Sequence, residues 1–128
     1  MTDESTTDAP AEQAPFDPAA LDRLKRFGGD KLLHEMIALY LAGAPERIAA
    51  ARAGTDGGDA PATELALHSL KSSSAQLGAM RMQRLSEQGE QLAKAGTLGI
   101  VGFLVQDIEE EFVRVQEWLA GVRDGRTA

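Results

Sequence analysis

No stretch of this 128-residue chain alternates apolar and polar residues as a half-buried strand does. Its apolar residues recur instead at helical spacing, and glycines punctuate the pattern. Asp17-Pro18 has the form of an N-cap followed by a first-turn proline, so a short helix is expected from about Pro18 to Phe27, ended by Gly28-Gly29. Asp30 can cap a second helix whose stripe is Leu33, Ile37, Tyr40, Ala44 and Ile48, running to about Ala53. Pro45 lies inside that stripe and predicts a kink or break near Gly43 to Pro45. Gly54 to Asp59 has the composition of a loop. A third helix is expected from about Pro61 to Leu77, stopped by Gly78 in the left-handed conformation. A fourth, from about Ala79 to Ala95, carries Met82, Leu85, Gly89 and Leu92 on one stripe. The last runs from about Thr97 to Val122, with Val101, Leu104, Ile108, Phe112, Val115, Leu119 and Val122 inward. Four long helices joined by short loops predict an all-α fold, an antiparallel up-down four-helix bundle with a short extra N-terminal helix.

The length suits one domain with a single core. Residues 1–15 read as a disordered acidic leader, 16–123 as the bundle and 124–128 as a tail. The leader holds Asp3, Glu4, Asp8 and Glu12 with no Lys or Arg. The formal net charge of −7 argues against nucleic acid and anionic membranes as partners. Cysteine is absent, which excludes disulfides, thiol chemistry and Cys-type metal sites. Two histidines at no ligand spacing argue against any other metal site, and His34 reads as a surface residue. The most apolar run, Leu98 to Val105, includes two glycines and is far shorter than the ~20 residues of a membrane span. The N-terminus lacks the pattern of a signal peptide, and a cytoplasmic protein is expected.

One run carries chemistry: His68-Ser69-Leu70-Lys71-Ser72-Ser73-Ser74-Ala75-Gln76-Leu77-Gly78-Ala79. At about 100° per residue, Leu67, Leu70, Ser73, Ser74 and Leu77 share one arc, the expected buried stripe, and His68 lies roughly opposite its centre. Glu64, Leu65, Lys71, Ser72 and Ala75 fall within about 60° of His68 on the same wheel. A solvent-facing neutral imidazole is a competent nucleophile near neutral pH, and its two nitrogens can take separate roles. Lys71 sets a cation beside the ring that can stabilise negative charge on a group held there, and Ser72 and Ala75 leave room for a second protein.

The run resembles the signature of histidine phosphotransfer (HPt) domains, the phosphoryl relays of multistep two-component signalling. That pattern is His, any residue, Leu, Lys, Gly, two of Ser or Ala, two free positions, then Leu, Gly and Ala. Every fixed position matches except one, where Ser72 stands in place of glycine. The resemblance implies a four-helix bundle with an extra N-terminal helix, and a role for His68 as acceptor of a phosphoryl group from a receiver-domain aspartate. It implies that a polar residue on the following helix, twenty-two positions after the histidine, hydrogen-bonds the imidazole; that residue here is Glu90, with Gln91 and Glu87 as neighbours of the same kind. A carboxylate there would accept Nδ1–H and leave Nε2 as the nucleophile. The resemblance further implies no cofactor of the chain's own, Mg²⁺ supplied by the receiver, and a monomer.

The receiver is expected over the His68 face, with Leu32, Met36, Glu64 and Leu65 in the docking rim and Leu21 and Leu24 adding apolar surface. No ATP-binding motif is present, and the acidic residue and later proline that accompany a kinase histidine are missing after His68, so autokinase activity is not expected. The alternative is a helical bundle that binds a receiver without transferring phosphoryl groups, to which the serine at position 72 lends some weight.

Overall fold

The computed structural model describes residues 14–126; most of the acidic leader, and the last two residues of the tail, lie outside the described residues. Among the described residues there are four α-helices and no strand longer than an isolated bridge: α1 (Pro18–Asp56), α2 (Ala60–Leu77), α3 (Met80–Lys94) and α4 (Leu98–Arg123). Each helix packs on the next, and α4 closes the ring against α1. Connections of two or three residues reverse the chain each time, which makes sequence neighbours antiparallel. Ile37, Leu67, Leu70, Leu77, Met82 and Leu119 are among the fully buried side chains at the centre.

The structure answers four of the sequence-based expectations here. First, the opening helical segment ends where Gly28-Gly29 was expected to end it: within the span Pro18–Asp56 only these two residues leave helical angles, and two helical segments meet across the kink they make. Gly29 takes φ 74°, which glycine adopts without a Cβ penalty. Second, no break occurs at Pro45. Its ring faces solvent, so the missing N–H leaves a carbonyl on the half-exposed side of the helix, while Tyr40, Ala44 and Ile48 stay anchored in the core. Third, the helix continues to Asp56, and the loop shrinks to 57–59. Gly54 is buried in the helix, where a Cβ would lie 2.5 Å from Thr63 Oγ1; glycine here permits close packing of α1 on α2. Fourth, the inward stripes shift slightly. Ser73, Leu92, Leu104 and Val122 are half-buried, whereas Ser86, Glu90, Ala93, Val105 and Glu111 are buried.

The turn that ends α2 fixes α2 against α3. Gly78 is left-handed (φ 78°, ψ 19°), Gly78 N–H bonds the Ala75 carbonyl and Ala79 N–H the Ser74 carbonyl, which is a Schellman motif. The segment just before α1 lies across this turn. Asp17 N–H donates to the Gly78 carbonyl at 2.8 Å, and Pro15 O accepts from Met80 N–H at 2.9 Å and Arg81 N–H at 3.2 Å. Pro15 O thus satisfies α3 donors that Ala79, an N-cap without a side-chain acceptor, cannot. Phe16 stacks on Trp118 of α4, with centroids 4.4 Å apart and planes 14° from parallel.

Candidate functional site

His68 sits midway along α2 with its side chain 57% exposed, as the helical wheel predicts for a residue opposite Leu67, Leu70, Ser74 and Leu77. Its Nδ1 lies 2.8 Å from Glu90 Oε2 on α3. Glu90 is 4% exposed, and its other oxygen, Oε1, is 2.8 Å from Lys71 Nζ. One buried carboxylate therefore joins His68 and Lys71, which stand one turn apart on α2.

The electrostatics follow from that bridge. Burial pushes the Glu90 carboxyl up, but hydrogen bonds from Lys71 and His68 outweigh it and hold the group below the usual carboxylate range. The hydrogen bond to Glu90 raises Lys71 in turn, against a smaller opposing effect of desolvation. Glu90 is ionised at neutral pH and can only accept, so neutral His68 holds its proton on Nδ1 and leaves the Nε2 lone pair free. The result is an oriented imidazole with one nitrogen fixed and the other open to solvent.

A cleft of about 440 Å³ opens beside the ring, lined by Pro61, Glu64, Leu65, His68, Glu90 and Lys94. Two of the residues expected in the docking rim, Glu64 and Leu65, line it, and Leu65 is 68% exposed. Ser72 is exposed and Ala75 half-buried on the same side of α2. Met36 lies elsewhere, in the groove between α1 and α2 with Leu39, Ser73 and Gln76. Leu32 folds over the place that a Cβ on Gly28 would occupy. Leu21 is 5% exposed and belongs to the core, and Leu24 packs against it, so the exposed apolar side chain of the first segment of α1 is Phe27 instead. Glu87 and Gln91 are exposed where Glu90 is buried, and Glu87, one turn before Glu90, adds its negative charge to the surroundings of Lys71.

Two features escape sequence reasoning. Lys71 is held by Glu90, a partner nineteen positions away on another helix. Lys94, at the end of α3, pairs with Glu64 at 3.8 Å beside the cleft. A wheel drawn for one helix at a time shows neither, although Glu64 and His68 at i, i+4 facing Glu90 and Lys94 at i, i+4 would suggest paired rungs once α2 and α3 are known to be antiparallel.

Among the described residues no group of three or more His, Cys, Asp or Glu could hold a metal ion, and no helix is long and apolar enough to cross a membrane. A helical bundle that presents a single imidazole, fixed at one nitrogen and free at the other, defines a class of carrier in which the ring is the working group. The chain belongs to the Hpt domain family, the histidine phosphotransfer modules of two-component phosphorelays, which it matches over residues 35–123. It is similar in fold to the crystal structure of histidine-containing phosphotransfer protein B (HptB) from Pseudomonas aeruginosa PAO1, with a TM-score of 0.82 and 24% sequence identity over 87% of this chain and 96% of that one. No curated protein sequence matches the chain.

Proposed function

We propose that the protein is a phosphorelay intermediate: His68 accepts a phosphoryl group from a receiver-domain aspartate and passes it to another receiver. The observation that carries this reading is the 2.8 Å contact between His68 Nδ1 and Glu90 Oε2, which leaves Nε2 as the exposed nucleophile. In the forward step the aspartyl O–P bond breaks and the carboxylate leaves with the electron pair, while an Nε2–P bond forms. Nδ1 keeps its proton throughout, so the positive charge gained by the ring lies against the Glu90 carboxylate. Positioning and charge stabilisation suffice for such a step. The receiver supplies Mg²⁺ and the remaining catalytic groups, and the chain needs no nucleotide or cofactor of its own. Docking takes place over the cleft at Glu64 and Leu65, with Ser72 on its rim.

Transfer of radiolabel from a phosphorylated receiver domain tests this, with His68→Gln as the control. Acid-labile, base-stable label on the wild type alone is the expected result. Receiver binding without label on His68, across a broad receiver panel, would support the bundle that binds but does not transfer.

A further inference from the structure

Two lysines flank the imidazole, and the structure sets them in different circumstances. Lys71 Nζ is 2.8 Å from Glu90 Oε1, and its side chain is only 24% exposed. Turning it outward would strip a 96%-hidden carboxylate of one of its two partners, which the interior opposes. Lys94 is 49% exposed and paired at 3.8 Å with Glu64, itself 36% exposed. Such a long, solvated pair separates readily. Lys94 also lines the cleft that His68 opens into, and Lys71 does not.

The spacing places Lys94 within reach. Glu64 is one turn before His68 on α2, and Lys94 is one turn after Glu90 on α3. Because the helices are antiparallel, Glu64–Lys94 and His68–Glu90 are adjacent rungs, about 6 Å apart along the helix axes. A lysine side chain spans that rise.

We infer that Lys94, released from Glu64, is the cation that meets the phosphoryl oxygens at His68, and that Lys71 is a positioning residue that keeps Glu90 charged and directed at Nδ1. Glu64 then acts as a competitor that occupies Lys94 while the site is empty. This inference rests on the reading of His68 as phosphoryl acceptor. It assigns the charge-stabilising role to a different lysine from the one within the signature run.

The test uses the whole chain and a small donor, potassium phosphoramidate, so that receiver docking cannot obscure the chemistry. The donor's P–N bond breaks with the electron pair leaving on ammonia, and Nε2–P forms. Phosphorus NMR follows the rate at which phosphohistidine appears and, after donor removal, its lifetime. Lys94→Gln is expected to slow uptake about tenfold, less than for a donor in a water-excluded site because Lys94 is solvated. Lys94→Arg should restore most of the rate. Glu64→Gln should speed uptake about twofold by freeing Lys94, and added salt should narrow every one of these differences. Uptake by Lys94→Gln at the wild-type rate, or a slower Glu64→Gln, would overturn the assignment while leaving His68 as acceptor. Failure to label wild-type His68, under conditions that phosphorylate free imidazole, would overturn both readings together.

Discussion

Gly89 lies directly beneath Leu67: a Cβ on Gly89 would come within 2.7 Å of Leu67 Cδ1. Each is the chain neighbour of a site residue, Gly89 of Glu90 and Leu67 of His68. The close approach of α2 and α3 that sets the His68–Glu90 contact therefore depends on the absence of a side chain at position 89. Valine there forces the helices apart or displaces Leu67, which is fully buried. Gly89→Val should cost about 2 kcal/mol of stability in urea denaturation. Nitrogen-15 shifts of the His68 ring should also lose the signature of a proton fixed on Nδ1. An unchanged midpoint with an unchanged ring signal would contradict the packing.

Much of this arrangement is legible in the sequence because it is local. Gly78 and Gly96 both adopt positive φ at helix ends, where the fading of the apolar pattern places them. The exposure of His68 follows from 3.6-residue periodicity alone. What local reasoning misses is set by tertiary contact. Gly54 has the composition of a loop residue, but the neighbour that makes glycine necessary is Thr63, on another helix. Pro45 carries a breaker's chemistry, yet the backbone around it keeps helical angles while Tyr40, Ala44 and Ile48 stay buried in the core. The Lys71–Glu90 and Lys94–Glu64 pairs, and the strap of residues 15–17 over Gly78, join positions far apart in the chain. No periodicity encodes such partners.

The Glu90 bridge predicts a definite pH dependence. The folded-state pKa of Glu90 is lowered, so its contribution is fully present above the unfolded value of about 4.3 and is lost as pH falls through the folded value. Lys71 is raised, so its contribution is present below about 10.4 and is lost as pH rises through the folded value. Glu90→Gln should therefore be less stable than wild type by about 1 kcal/mol across neutral pH. The gap should close toward both extremes. Tyr40, raised to about 12 chiefly by burial, also destabilises the fold above pH 10. It is common to both proteins and cancels in the difference. Urea titrations of the two proteins from pH 3 to pH 11 are the check. A gap that stayed constant to the acid limit would mean that Glu90 is not charged in the folded state.

Gly78 and Gly96 separate backbone strain from contact. Both have φ near +80°, so alanine at either costs about 1–2 kcal/mol. Nothing lies within 4 Å of a Cβ built on Gly96, whereas one on Gly78 would run into the Asp17 carbonyl oxygen and press on Ala20. Gly78→Ala should therefore be destabilised more than Gly96→Ala, by about a further 1–2 kcal/mol. Trp118 is the only tryptophan, and it stacks on Phe16 within the strap, so its fluorescence reports this region directly. Gly78→Ala should shift the native emission, and Gly96→Ala should not. Equal losses of stability with identical emission would show that the strap does not press on the turn.

Ser72 offers a way to separate docking from chemistry. It is exposed one turn after His68, on the side that the proposed receiver approaches, and no hydrogen bond ties it to His68, Lys71 or Glu90. An arginine there is a good helix former and should change stability by no more than about 0.5 kcal/mol. It adds a long side chain where a protein-sized donor must come close, but leaves the small-donor path through the Glu64–Lys94 cleft open. Ser72→Arg should therefore slow transfer from a phosphorylated receiver about tenfold or more, which corresponds to about 1.4 kcal/mol. Uptake from phosphoramidate should stay within about twofold of wild type, the range of a surface substitution. Rates from both donors, measured on one preparation, decide the matter. A parallel loss with both would place Ser72 in the chemistry at His68, and no loss with either would move the receiver's footprint off this turn of α2.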